Sequence, residues 1–232
     1  MTNMMCPMCL EGGRVVILSS KTEKHVLTEA WCCNNCRHAW RTEPWKLSNA
    51  NDFFKDAYYT KVAFSKKLDA TKIGMFKHFE QLASKAISQQ PRLMVDFGCS
   101  YGILLQIFKE HNWQIMGIEI SSGSQKVLIE KGLPLAPTIE EAGLSLGTVD
   151  VVVMSDSLYY LPDPIGTLRK IQSYMKTNGY LFLRQPTRGG LISLLQKVSK
   201  GIAFDYRLWH DHVHLFSRKS TELALKQVGF IE

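Results

Sequence analysis

The feature that most constrains this chain is Val95-Asp96-Phe97-Gly98-Cys99-Ser100-Tyr101-Gly102, with Glu119 seventeen residues beyond Gly102. An apolar run that turns through glycines straight into a helical pattern reads as a buried strand, a tight loop and a helix start. Glu119 closes the next apolar run. Glycines let the backbone approach a ligand, and an acid at the neighbouring strand end can accept hydrogen bonds from two ribose hydroxyls. The pattern demands an α/β sheet that grips a nucleotide-like group.

The rest of the chain agrees with such a sheet from residue 91 onward. Apolar runs at 93–97, 114–120, 133–136, 150–155 and 180–184 alternate with helical patterns at 103–111, 124–131 and 164–176. Pro164 opens the third helix and Asn178-Gly179 ends it. Near-continuous apolar strands separated by helices predict a mostly parallel, Rossmann-like sheet with helices on both faces. A last helix is expected over 221–228, closed by Gly229. Phe230-Ile231-Glu232 reads as the start of a further strand, an ending expected of a domain incomplete at its C-terminus. Residues 46–90 are polar and helical in pattern, with Ile73, Phe76, Phe79, Leu82, Ala83, Ala86 and Ile87 spaced to form one apolar face.

The first 45 residues differ in kind. They hold five of the six cysteines and three of the five tryptophans, with β-like runs at 14–19 and 25–31. Cys6-Pro7-Met8-Cys9 and Cys33-Asn34-Asn35-Cys36 are two Cys-x-x-Cys knuckles. Each turn lets two thiolates converge on one metal, and two turns supply the four-sulfur set that structural zinc prefers. Cys32 is an alternative to Cys33 in a looser register. A closed set leaves no open coordination position, so the zinc is expected to be structural and to stabilise this small ribbon. No βαβ pattern surrounds either knuckle, which argues against a redox pair. The expected organisation is a zinc ribbon at 1–45, a helical segment at 46–90 and an α/β domain at 91–232.

Charge and hydropathy narrow the setting. The net charge is +7, and residues 1–90 carry 13 Lys/Arg against 8 Asp/Glu. No basic run exceeds two residues, so a solvated surface outweighs a nucleic-acid footprint, and no DNA partner is expected. No apolar run approaches the roughly 18 residues of a membrane span. The N-terminus lacks the apolar stretch of a signal peptide, so a cytoplasmic protein is expected.

Three ligands compete for the glycine loop. A dinucleotide needs a third glycine where Ile103 stands. A hydrolase would use Gly98-Cys99-Ser100-Tyr101-Gly102 as a Gly-x-Ser-x-Gly elbow, with acids (Asp150, Asp156, Asp163) and histidines (His210, His212, His214) following in triad order. That fold needs several strands before the elbow, and Glu119 has no role in it. The third reading rests on order and spacing. The loop, the acidic Gly117-Ile118-Glu119-Ile120-Ser121, the fourth strand Asp150-Val151-Val152-Val153-Met154 with its loop Ser155-Asp156-Ser157-Leu158, and Leu168-Arg169-Lys170 before Asn178-Gly179-Tyr180-Leu181 together resemble the class I S-adenosylmethionine-dependent methyltransferases over roughly residues 90–232.

The resemblance implies roles. Backbone at Gly98, Cys99, Ser100 and Gly102 would border the amino-acid and sulfonium end of S-adenosylmethionine. Asp96 would hold its amine, Glu119 its ribose and Ile120 would flank adenine, with Ser155, Asp156 and Ser157 completing the site. A ribbon before such a domain is similar to bacterial small-molecule methyltransferases of the ubiquinone and sugar-modifying kind. Their aromatic, acidic stretch resembles residues 51–59, and their late segment resembles residues 212–221. Those relatives often carry Glu-His after the fourth strand, where this chain has Tyr159-Tyr160. His212, His214 and Tyr160 are therefore the catalytic candidates, although in-line methyl transfer can run largely on proximity. The acceptor expected is an oxygen on a sugar, quinone-like or natural-product molecule. Ribosomal RNA guanine methyltransferases, which also begin with a zinc module, are the alternative, and an inactive cofactor-binding partner protein is a second. Oligomeric state has no signature in the sequence.

Overall fold

The computed structural model describes residues 5–11, 15–21, 27–41, 66–187 and 212–231. Residues 51–59 and His210 lie outside them. Two compact units interleave along the chain: one combines 1–45, 156–172 and 185–232, the other 46–155 and 173–184.

The second unit is built on a five-stranded parallel sheet. Its strands are β4 (Leu93–Phe97), β5 (Gln114–Ile118), β6 (Leu135–Ala136), β7 (Val149–Ser155) and β8 (Met175–Arg184), in the order β6-β5-β4-β7-β8. The chain winds outward in one direction from β4 and then crosses to the other side, so β4 and β7 form a topological switch point. Ligands of open α/β sheets bind at the carboxyl ends of the strands there. β7 is buried along nearly its whole length, as a strand covered on both faces must be.

Around the sheet stand α1 (Lys66–Ala86), α2 (Ile103–Glu110) and α3 (Ser122–Glu130); α4 (Pro164–Tyr174), which belongs to the first unit up to Gln172, leads directly into β8. Leu104, Leu105, Ile107 and Phe108 of α2 pack with Phe76 and Ala83 of α1 and with Val151 and Val153. The buried stripe of α1 departs from the expected one. Leu82 is 40% exposed, whereas Glu80 is 3% exposed. The carboxylate is buried because it is partnered: Ser84 Oγ donates to Glu80 Oε1, and Ser84 Oγ accepts from Arg92. Arg92 in turn lies over the Trp113 ring at 4.3 Å.

Other expected bounds shift for local reasons. β5 stops at Ile118: the Glu119 amide still reaches Ala136 O of β6 at 3.0 Å, and Ser121 then caps α3. α4 ends at Tyr174. Val149 pairs with Met175 and Val151 with Tyr180, so residues 176–179 bulge opposite Asp150. A side chain at Gly179 would meet three backbone carbonyls at 3.0–3.2 Å. Asp150 fastens the bulge, accepting from Lys176 Nζ at 2.7 Å and from the Leu93 amide at 2.9 Å.

The first unit contains an antiparallel sheet of β1 (Val15–Lys21), β2 (Leu27–Cys33), β3 (Ala39–Arg41) and β9 (His214–Leu215), in that order. Its helix α5 (Arg218–Gln227) starts three residues earlier than expected, because Ser217 and Ser220 form a reciprocal capping box. Phe230 and Ile231 do not form a strand; the Phe230 amide instead closes the helix end on Leu225 O.

Candidate functional site

At the carboxyl ends of β4 and β5 the chain turns twice. The Gly98 and Cys99 amides both reach Ile118 O, at 2.8 and 3.2 Å, which ties the glycine loop to the next strand. Gly98, Ser100 and Gly102 all have positive φ, at 82°, 50° and 74°. Glycine takes this backbone freely, and Ser100 does so at a cost of order 1 kcal/mol. Gly102 is further required by packing: a Cβ there would lie 2.6 Å from both Leu128 and Leu133. Cys99 is buried against Gly117, where an added Cβ would lie 2.7 Å from its Sγ. Burial pushes the Cys99 thiol up, so it is a packing group rather than a nucleophile.

Glu119 does more than its sequence position announces. Its Oε2 accepts from the Ser100 amide and its Oε1 from the Ser121 amide, each at 2.8 Å. The carboxylate thus pins the glycine loop to the start of α3. Each oxygen keeps a second lone pair for a ligand hydroxyl. Burial raises the Glu119 pKa against the lowering effect of those amides. Asp96, 4% exposed, is raised to about 8, first by burial and then by repulsion from Glu119. Among the described residues, no cation contributes to either shift. Two buried, uncompensated carboxylates facing a glycine loop call for a ligand that brings positive charge and hydroxyl donors. Ile120 beside them is 45% exposed, an apolar side chain open to a flat partner.

The structure brings Asp96, Gly98, Cys99, Ser100, Gly102, Glu119, Ile120 and Ser155 together in the sheet unit. Asp156, at φ 61°, and Ser157 follow Ser155 directly in the chain and belong to the first unit. Ser157 Oγ is buried and has no hydrogen-bond partner among the described residues.

In the first unit the two knuckles converge. The sulfurs of Cys6, Cys9, Cys33 and Cys36 all lie within 4.8 Å of one another, with Cys6–Cys36 at 3.5 Å and Cys9–Cys33 at 3.6 Å. Four sulfurs about 2.3 Å from one tetrahedral ion are about 3.8 Å apart. The knuckles share one backbone design. The Leu10 amide donates to Cys6 O and the Arg37 amide to Cys33 O, both at 2.9 Å, and Leu10 and Arg37 both have positive φ. This settles the register: Cys33 is in the cluster, and the Cys32 thiol faces the Cys33 carbonyl. The cluster can hold one four-coordinate ion.

The same unit carries the catalytic candidates. Tyr159, Tyr160 and His212 form a ring cluster, with centroids 4.3 Å apart for the tyrosines and 4.2 and 5.2 Å from each to His212. The Val213 amide donates to Tyr159 O at 3.0 Å. His214 is 4% exposed and its pKa is lowered to about 4, chiefly by burial. Its Nδ1 lies 3.1 Å from Nε2 of the buried His38, and its Nε2 lies 3.5 Å from Pro162 O. His38 escaped the sequence reading, because a lone histidine after a knuckle carries no signal of a partner 176 positions away.

Comparison with known proteins agrees with this architecture. A family profile described as a methyltransferase domain matches residues 74–231. A ubiquinone biosynthesis O-methyltransferase of Bordetella avium is 25% identical over 162 residues, 65% of this chain and 66% of its own length. That of Bordetella pertussis is 29% identical over 141 residues, 56% of this chain and 58% of its own length. The chain therefore spans less than two thirds of these curated relatives. Among solved structures, a SAM-dependent methyltransferase from Archaeoglobus fulgidus superposes with a TM-score of 0.54 at 20% identity, covering 69% of this chain and 70% of its own.

Proposed function

Because the chain belongs to the methyltransferase-domain family, we propose that it transfers a methyl group from S-adenosylmethionine to an oxygen of a small-molecule acceptor. The observation that carries the donor assignment is the pair of buried carboxylates, Asp96 and Glu119, with a glycine loop between them and, among the described residues, no cation shifting either one. S-adenosylmethionine supplies a methyl on a positively charged sulfur, together with an amine and a ribose diol. Asp96 would hold the amine. Glu119 would take the two ribose hydroxyls on its remaining lone pairs. Gly98, Cys99, Ser100 and Gly102 would border the amino-acid end with backbone, Ile120 would cover one face of adenine, and Ser155 would complete the site within the sheet unit. Ser157 Oγ, buried and without a hydrogen-bond partner among the described residues, is suited to a ligand contact.

The acceptor side is assigned to the segment leaving the carboxyl end of β7, which carries Tyr159 and Tyr160, and to His212 beside them. The acceptor oxygen bonds to the methyl carbon as the carbon–sulfur bond breaks and its electron pair returns to sulfur. The hydroxyl proton passes to a base. His212 is assigned that task because its ring stands against Tyr159 and Tyr160. An oxygen acceptor is favoured by the curated relatives, which are named as ubiquinone O-methyltransferases. The four cysteines are proposed to hold a structural zinc.

Calorimetric titration with S-adenosylhomocysteine tests the donor site. Binding is expected in the intact chain and a loss of about 10- to 100-fold in Glu119→Ala, the worth of one or two hydrogen bonds to a charged group. Equal affinity of the two proteins would overturn the assignment. Radiolabelled methyl incorporated into a solvent-extractable pool rather than into total RNA would support the small-molecule acceptor.

A further inference from the structure

The cysteine ribbon, read from sequence, is an appendage that folds for its own sake. Its contacts within the first unit point elsewhere. β3, which follows the second knuckle, pairs with β9 through Ala39–Leu215 and Trp40–His214. Ser217 Oγ donates to Cys36 O, Gln227 donates to Met8 O inside the first knuckle, and Lys219 reaches Asn35 in the second. The knuckles are thus fastened to residues 214–227, and those residues lead directly from His212.

Between the ribbon and the loop after β7 stand two imidazoles. A carbonyl only accepts, so a hydrogen bond to Pro162 O, 3.5 Å away, requires the proton of His214 on Nε2. His214 Nδ1 is then an acceptor, and the proton between the rings belongs to His38 Nε2. One direction of donation runs from His38 to His214 to Pro162. The rings are stacked at 5.2 Å, and His38 also packs against Trp40 and Phe216. Pro162 follows Tyr159 and Tyr160 by two residues, and the Val213 amide holds Tyr159 from the other side. The loop is therefore held at Tyr159 and at Pro162 by two consecutive residues, Val213 and His214.

We propose that His38 is a positioning residue: through His214 it fixes the loop bearing Tyr159 and Tyr160 against His212, so that the cysteine ribbon sets the acceptor side of the site rather than serving as a separate module. This rests on the assignment of Tyr159, Tyr160 and His212 to the acceptor side. It extends that assignment to a residue outside it, two positions beyond the last cysteine.

The test uses the full chain loaded with zinc and compares the parent, His38→Leu and His38→Gln. Glutamine places an amide donor near the position of His38 Nε2; leucine fills the space with no donor. Metal content, S-adenosylhomocysteine affinity, and the nitrogen and ring-proton NMR signals of His212, His214, Tyr159 and Tyr160 are read for each. In the parent, His214 should show the Nε2-protonated tautomer. In His38→Leu, zinc should stay at one per chain and donor affinity within about twofold, while the His212 and Tyr160 signals shift or broaden. His38→Gln should restore them. Unchanged His212 and Tyr160 signals in His38→Leu would overturn the proposal. Loss of zinc from both variants would also overturn it, making His38 a part of the ribbon's own stability. Failure of the parent to bind S-adenosylhomocysteine would instead strike the proposed donor site, and the tautomer and loop signals would still decide the role of His38.

Discussion

At the scale of single residues, the charge state of Asp96 has the widest consequences. Its folded pKa, about 8, lies far above the roughly 4 of an unfolded aspartate. A raised carboxyl favours the unfolded chain once that chain ionises, so the ligand-free protein should lose stability as pH rises from about 4 to about 8. A ligand ammonium group beside it reverses the preference by favouring ionised Asp96, and its binding releases a proton below pH 8. Affinity for S-adenosylhomocysteine should therefore climb between pH 6 and pH 8, by at most about tenfold per unit, and level off above. Titrations in two buffers of different ionisation heat measure the released proton directly. Asp96→Asn should flatten the profile, and a flat profile in the parent would show that Asp96 is already ionised without ligand. Asp96 and Glu119 were legible in sequence because each stands two residues from a glycine near the end of an apolar run. Their mutual repulsion was not legible, since it depends on β4 and β5 being neighbours in register.

At the scale of elements, the glycine loop separates two costs that sequence alone runs together. Gly102 and Gly132 both sit at positive φ, but a Cβ at Gly102 would strike Leu128 and Leu133, whereas at Gly132 nothing lies within 4 Å. Gly132→Ala should cost about 1 kcal/mol of backbone strain alone. Gly102→Ala should cost about 1–3 kcal/mol more through overpacking, visible as a melting temperature several degrees lower. Equal losses in urea unfolding would mean that the leucines yield freely. The periodicity of α1 predicted a helix correctly and placed Phe76, Phe79, Ala83 and Ile87 on its core face; it erred at Leu82 and Ala86, which are exposed, and passed over Glu80. Hydrophobic spacing cannot anticipate a buried Glu80, whose position depends on Ser84 and, across a turn in the chain, on Arg92. The bulge at 176–179 escaped for the same kind of reason: Asn178-Gly179 announces a turn, but only the Asp150 carboxylate and its Lys176 partner say that the strand resumes before it.

At the scale of the whole molecule, the knuckles were plain in the sequence because four cysteines at two fixed spacings have few other uses. What they are attached to was hidden, because the β3–β9 pairing joins residues some 175 positions apart and β9 is only two residues long. A two-residue strand has no periodicity to read. Its consequence is measurable by hydrogen exchange. If the four sulfurs hold a metal that stabilises the ribbon, a chelator should deprotect the amides of β2 and β3, and with them distant amides that depend on the same sheet. The Arg41 amide donates to Val213 O and the Val213 amide to Tyr159 O, so exchange at both should rise together with that of residues 214–227. The amides of β4 and β5, paired within the parallel sheet, provide an internal reference for the size of the effect. Protection that persists at Val213 and along α5 after the metal has been stripped would mean that the C-terminal segment holds its place without the ribbon. The metal would then support the knuckles and nothing beyond them.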